Sequence, residues 1–286
     1  ACLSKQKLGR GPHKARDNRE RGQDIHQRIS LPVNKIIAMT ACDRINYTEE
    51  VLKSLAGCIG IEDYIFLPHV EPINKEVIKA LGAFSACETT VTVNERRLGH
   101  TLNTHTALKN GFSKGDYVIL IEDDTLLSQD FLLFHEFCSN KFKGDKNVFT
   151  VCAGHYRRPD EKINPEDYFS FERQHRFSNQ GWGTWSDRWN EDGGMSSTWE
   201  NPELILGSIY QVQYKYGGWD SLLNKHLRRG RCEIIPTMSR VQNIGAIGGV
   251  HSISPDEHFK RIRVKDWAGE YKFSNNEFHP HNLQQA

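Results

Sequence analysis

The chain predicts an α/β fold, with a mostly parallel central sheet flanked by helices on both faces. Three observations carry that reading. From residue 35 short apolar runs alternate with stretches of helical period, and that alternation builds βαβ units with right-handed crossovers. The runs are continuous rather than alternating, as in strands buried on both faces. One of them, Tyr117-Val118-Ile119-Leu120-Ile121, ends in three consecutive carboxylates, Glu122-Asp123-Asp124, at the edge where open α/β sheets bind ligands.

Taken in order, Ile36-Ile37-Ala38-Met39-Thr40-Ala41 is the first strand, followed by a helical stretch from Thr48 to Leu55. Tyr64-Ile65-Phe66-Leu67 is the second strand, with a helix from Asn74 to Leu81. Thr90-Val91-Thr92-Val93 is the third, with a helix from Thr101 to Phe112. The acid-tipped strand comes next, then a helix through Asp130-Phe131-Leu132-Leu133-Phe134, and Asn147-Val148-Phe149-Thr150-Val151-Cys152 continues the sheet.

Beyond residue 155 the texture turns aromatic and polar. Trp182, Trp185 and Trp189 are spaced by three and four, one face of a helix. Core packing accounts for at least two of them, although indole faces between polar residues also suit sugars. Tyr216-Gly217-Gly218-Trp219-Asp220 then opens an amphipathic helix to Arg229, followed by Gly230-Arg231, Ile235-Pro236 and Ser239-Arg240.

With 286 residues, 37% hydrophobic and 26% charged, the chain suffices for one large core or two coupled ones. A net charge of +1 argues against a nucleic-acid partner, which needs clustered excess Lys and Arg. No apolar run approaches the roughly 20 residues that span a bilayer, and the N-terminus lacks a signal-peptide core. Residues 1–33 carry Lys5, Lys7, Arg10, Lys14, Arg16, Arg19, Arg21 and Arg28 with few apolar partners, the composition of a flexible basic arm. The expected organisation is the arm, a strand-and-helix half over 34–154, an aromatic and polar half over 155–265, and a tail over 266–286. Seven scattered cysteines form no CxxC pair, so a zinc site is not expected. Cys42 and Cys152 suit buried thiols at least as well as disulfides.

Three acids in a row repel one another unless a divalent cation, polar ligand groups or water neutralise them. Glu122-Asp123-Asp124 thus reads as a metal and nucleotide-sugar site, or as an acidic turn capping the next helix. Asp43-Arg44, after the first strand, puts a carboxylate and a guanidinium at the same edge. There they serve a uracil imino proton and a phosphate, or a salt-bridged turn. Asp220, at a helix start facing a cleft, is placed as a general base or as an N-cap.

Together these residues resemble the inverting GT-A glycosyltransferases typified by animal N-acetylglucosaminyltransferase I and the protein O-mannose N-acetylglucosaminyltransferase. The likeness runs from about residue 35 to 260. It comprises Ala41-Cys42-Asp43-Arg44, Glu122-Asp123-Asp124 as the DxD-type motif, Trp219-Asp220, Gly230-Arg231 before Ile235-Pro236, and Ser239-Arg240 with Gly245, Gly248 and His251 as a mobile loop. The resemblance implies a metal-dependent inverting transferase with a Rossmann-like GT-A fold. Such an enzyme moves GlcNAc or a related sugar from a UDP-sugar to a hydroxyl of a glycan or glycoconjugate acceptor, with Mn²⁺ or Mg²⁺ as cofactor. It further implies that Asp43 binds uracil, Glu122 the donor sugar, Asp123 the ribose, Asp124 the metal, and that Asp220 is the base. Arg44 would join the donor site, and Ser239, Arg240 and His251 would close over the diphosphate. The family's helix histidine falls on Asn103, with His105 two residues on, so both are donor-site candidates. Trp182, Trp185 and Trp219 are the acceptor-site candidates. The Golgi lumen is the expected compartment for a eukaryotic source and the cytoplasm for a microbial or viral one.

Two other classes share parts of this pattern. A sugar-nucleotidyltransferase would carry a Gly-rich phosphate loop after the first strand, where Ala41-Cys42-Asp43-Arg44-Ile45 has no glycine. An inactive carbohydrate-binding protein would have no need of intact Glu122, Asp123, Asp124 and Asp220.

Overall fold

The computed structural model describes residues 34–154, 167–191, 194–200, 219–227, 230–248, 254–256, 258, 267 and 284–285. The basic arm, much of the stretch 155–215, Gly217-Gly218, His251 and nearly all of the tail lie outside the described residues. The elements in chain order are β1 (Lys35–Ala41), α1 (Ile45–Ala56), β2 (Tyr64–Val70), α2 (Lys75–Gly82), β3 (Glu88–Thr89), β4 (Thr92–Val93), α3 (Gly99–Phe112), β5 (Tyr117–Glu122), β6 (Thr125–Leu127), α4 (Phe131–Phe142) and β7 (Val148–Cys152). After these come β8 (Ser170–Gln174), β9 (Trp182–Trp185), α5 (Ser186–Trp189), α6 (Met195–Glu200), α7 (Asp220–Leu227), β10 (Cys232–Pro236), β11 (Val241–Asn243) and β12 (Gln284–Gln285).

The main sheet runs β12-β8-β10-β7-β9-β5-β1-β2-β3, with β4 also paired to β2. β1 is flanked by β2 and β5, both parallel, with Ala38 opposite Leu67 on one side and Leu120 on the other. Its residues from Ile36 onward are buried, which is why the run is apolar throughout rather than alternating. α1 buries Thr48, Val51, Leu52 and Leu55, the i, i+3, i+4, i+7 stripe of a helix lying on a sheet. Asn74 caps α2 by accepting from Glu76 N at 2.9 Å, and its Nδ2 donates to Asp43 O at 2.9 Å, fixing the turn after β1. α3 approaches β5 closely at Gly111, where a Cβ would stand 2.8 Å from Val118 Cγ1.

The tryptophan spacing does not mark a helix face. Trp182–Trp185 is strand β9, antiparallel to both β5 and β7. Period two, not 3.6, governs the segment, so Trp182 and Trp185 point to opposite faces of the sheet and join different hydrophobic clusters. Gly183 belongs to the same pattern, since a Cβ there would fall 2.6 Å from Tyr117 Oη. A second, two-stranded sheet pairs β6 with β11, Asn243 lying opposite Thr125, and so returns a late segment to the acid-bearing turn. The six described cysteines, Cys42, Cys58, Cys87, Cys138, Cys152 and Cys232, are free thiols.

Candidate functional site

The parallel registers bring the ends of β1 and β5 level, with Thr40 opposite Glu122. The turn after β1 therefore meets the acids after β5. Arg44 spans two of them: Nη2 donates to Asp123 Oδ1, and Nη1 lies 2.9 Å from Asp124 Oδ2. That second approach is a close ion pair that falls off hydrogen-bond alignment. Cys42 N donates to Asp123 Oδ2 at 3.3 Å. Asp43 itself is exposed beside this pair.

The loop after β11 closes over the same acids. Asn243 Nδ2 donates to Asp124 Oδ1 at 3.2 Å and Ile244 N to Asp124 O at 2.8 Å. A Cβ on Gly245 would come within 2.1 Å of Asp124 Oδ2, so any larger residue would have to push the Asp124 carboxylate aside. Gly248 sits at φ +77°, the left-handed region that favours glycine. Tyr47 Oη accepts from Ile247 N at 3.1 Å, and the Tyr47 ring stacks below the Arg44 guanidinium at 5.4 Å.

Charge crowding is visible in the acids. Burial, with the Asp124 and Asp123 carboxylates beside it, pushes Glu122 up to about 8; Arg44 opposes, and Asp220 adds to the rise. Asp220, first residue of α7, is thus close enough to be felt by the β5 acids. Burial also lifts Asp123 to about 6, against the pull of Arg44. For Arg44, burial alone would lower the value, but Asp124 and Asp123 outweigh it and hold the group charged.

Glu122, Asp123, Asp124 and Arg44 meet at this edge, with Asp43 beside them and Asp220 near enough to act on Glu122; His251 lies outside the described residues, and the remaining expected contacts are engaged elsewhere. Arg240 is fully buried, donating from Nε to Asp130 Oδ2 at 3.0 Å and from its terminal nitrogens to Met238 O and Tyr168 O, both at 2.6 Å. It is a framework ion pair rather than a donor ligand, because it is fully buried and each of its three nitrogens is already hydrogen-bonded. Ser239 Oγ is bonded to Val241 O at 2.7 Å inside the same turn. Asn103 accepts from Asn94 Nδ2 at 2.9 Å and donates to His69 O at 3.3 Å. His105 lies against Trp189 and Trp199, at 5.4 and 5.8 Å between ring centroids, in an aromatic core. Trp182 and Trp219, 0% and 2% exposed, pack on one another at 5.7 Å and both on Phe177. Trp185, on the other face, has Arg188 over its ring at 4.1 Å. The three acceptor candidates therefore present no open indole face, since hydrophobic burial claims surfaces this large first.

Three contributors escaped the sequence reading. Glu71 caps α3, accepting from Gly99 N at 2.7 Å and Leu98 N at 3.0 Å; its place just after an apolar strand was a usable signal. Tyr47 and Asn243 had none, since each acts through a loop about 200 or 120 residues away in sequence.

Among the described residues no three His, Cys, Asp or Glu side chains gather to hold a metal ion. Asp124 and its neighbours fit a divalent cation only together with ligand oxygens, the usual manner in which Mg²⁺ is shared between one or two carboxylates and a substrate phosphate.

No family model and no curated protein sequence matches this chain. Solved structures do match. S. aureus TarS residues 1–349 in complex with UDP superposes with a TM-score of 0.51 at 10% identity, over 79% of this chain and 62% of that one. A longer S. aureus TarS structure gives 0.51 at 12% identity, over 79% of this chain and 38% of its own. The mannosyltransferase PcManGT of Pyrobaculum calidifontis, in complex with GDP-Man and Mn²⁺, reaches 0.45 at 14% identity, over 72% of this chain and 57% of that one, a likeness too slight to weigh. This chain spans less than two thirds of the length of each. At such identities the likeness is one of fold, and the chain has the GT-A-like α/β fold of the TarS structures.

Proposed function

We propose that the chain is an inverting glycosyltransferase that moves a sugar, GlcNAc or a close relative, from a UDP-sugar to a hydroxyl of a glycan or glycoconjugate, with Mn²⁺ or Mg²⁺. One observation carries the reading: the carboxylates after β5, the guanidinium after β1 and Asp220 of α7 converge at the ligand-binding edge of the sheet. The TarS complex with UDP on the same fold is in keeping with it.

In this reading Asp220 takes the proton of the acceptor hydroxyl as its oxygen bonds to the anomeric carbon. The bond to the diphosphate breaks on the opposite face and UDP leaves with the electron pair. The unaligned Nη1 of Arg44 offers a charged donor to the diphosphate oxygens. Glu122, with its raised proton affinity, both donates to and accepts from sugar hydroxyls near neutral pH. A divalent ion held by Asp124 would add Lewis-acid neutralisation of the departing charge. The loop 243–248, packed on Asp124, keeps water from the anomeric carbon.

The test is Asp220→Asn. Asn caps a helix nearly as well as Asp, so the fold and calorimetric affinity for UDP-GlcNAc with Mn²⁺ should persist while turnover falls about 10²–10⁴-fold. Normal turnover, or a product retaining the donor's anomeric configuration by NMR, removes the assignment.

A further inference from the structure

We propose that Asn224, backed by the buried carboxyl of Glu233, is the positioning residue that fixes Asp220; the inference rests on the reading of Asp220 as the base. Glu233 lies on β10, fully buried in the sheet. Its hydrogen-bond partners are all neutral. Thr150 Oγ1 donates to Oε2 at 2.7 Å, while Ser178 N at 2.7 Å and Gln174 Nε2 at 2.9 Å donate to Oε1. Among the described residues no cation pairs with it, a costly setting for a carboxyl, and it is hydrogen-bonded by Thr150 of β7, by Gln174 at the end of β8 and by Ser178 in the turn that follows. Gln174 Nε2 also reaches Ser178 Oγ at 3.0 Å, so the turn closes on itself around the acid.

That turn hands a donor to α7. Phe177 N donates to Asn224 Oδ1 at 2.9 Å, and Asn224 Nδ2 donates back to Asp220 O at 3.2 Å. Asn224 stands one helical turn after Asp220, so its side chain braces the first turn of α7 from outside the helix's own ladder. The Phe177 ring adds a second grip, 5.7 Å from Trp219, the residue before Asp220. Two sets of hydrogen bonds, joined through the Phe177–Ser178 peptide link, thus run from Thr150 and Glu233 to Ser178 and from Phe177 through Asn224 to the backbone of Asp220. Asp220 remains partly open to solvent, so the base can meet an acceptor while its backbone is held.

The experiment compares Asn224→Ala with the native chain in three measurements: the Asp220 χ1 couplings by NMR, calorimetric affinity for UDP-GlcNAc with Mn²⁺, and UDP release from that donor at saturation. Asp220 should change from one rotamer to several and UDP release should fall about 10–100-fold, the scale of a misplaced reacting group, with donor affinity unchanged. In an Asp220→Asn background Asn224→Ala should add nothing, as expected when one residue acts through the other. Glu233→Gln, whose Oε1 still accepts from Ser178 N, should keep native values, while Glu233→Leu should behave like Asn224→Ala. If Asn224→Ala fails to fold, Asn224→Asp retains the acceptor for Phe177 N, turns the bond to Asp220 O into a repulsive oxygen–oxygen contact, and is expected to free the rotamer. A single Asp220 rotamer in the alanine or aspartate variant overturns the proposal, and this holds even for a protein that does not turn over UDP-GlcNAc. Unchanged UDP release in Asp220→Asn with a freed rotamer in Asn224→Ala would remove the base and leave the positioning intact.

Discussion

Arg44 and Arg240 are both arginines that follow a strand, and both meet aspartates, yet they belong to different kinds of region. Arg240 lies in the framework, 0% exposed, with each nitrogen of its fork bonded: to Asp130, Met238 O and Tyr168 O. Arg44 lies on the rim, its side chain 18% exposed, facing Asp123 and Asp124 with one nitrogen unaligned. A guanidinium carries five donors in a rigid fork. Where each nitrogen is hydrogen-bonded within the framework, the residue is structural; where one nitrogen is left unaligned at the rim, there is room for a ligand. Motif position alone does not separate the two cases, because both residues occupy register positions of one recognisable pattern.

The comparison breaks most sharply at Arg240. Arg240→Ala should cost about 3–5 kcal/mol of stability by leaving Asp130 buried and unpaired, read as a lower urea midpoint, with little specific change in UDP affinity of the remaining folded protein. A stable variant that has lost UDP binding would move Arg240 to the rim. Arg44→Ala tests the rim. UDP affinity by calorimetry should weaken about 10–100-fold, the worth of a charge-assisted bond, and stability should fall as well, because Asp123, 3% exposed, loses its cation partner while keeping the Cys42 N donor. Equal UDP affinity would confine Arg44 to the framework class.

The smallest effect sharpens the framework side through pH. Burial pushes Glu233 from 4.5 up to about 8, with its hydrogen bonds opposing. The folded chain therefore holds that proton between about pH 4.5 and 8 while the unfolded chain has released it. Stability falls as pH rises through that window and levels off above it. Glu233→Gln should flatten this part of the stability profile measured by urea unfolding, and an unaltered slope would show that Glu233 titrates normally.

Much of the sheet was legible because buried parallel strands must be continuously apolar. β1, β2, β5 and β7 fall on the runs read from sequence, and α1, α2 and α3 on the periodic stretches between them. Of the third run, Thr90–Val93, only Thr92–Val93 is strand (β4), and a second short pairing, β3, lies just before it at Glu88–Thr89; both sit at the edge, where only one neighbour disciplines the strand. The error at Trp182 and Trp185 has the same origin as the successes. Two large apolar residues three apart fit a helix face, and only insertion between β5 and β7 makes them a strand pointing both ways.

The sequence by itself determined the α/β class, the acid edge and the helix that opens at Asp220, since each depends on local periodicity or on acids following an apolar run. The tertiary structure alone decided which polar residues face the edge and which are consumed beneath it. Asn243 over Asp124, Tyr47 under the loop, Arg240 on Asp130 and Asn224 between Phe177 and Asp220 join segments through hydrogen bonds. A polar side chain in sequence has the same donors and acceptors whether it meets a ligand or a carbonyl. Only the packing that brings a partner within about 3 Å and excludes water assigns it to one or the other.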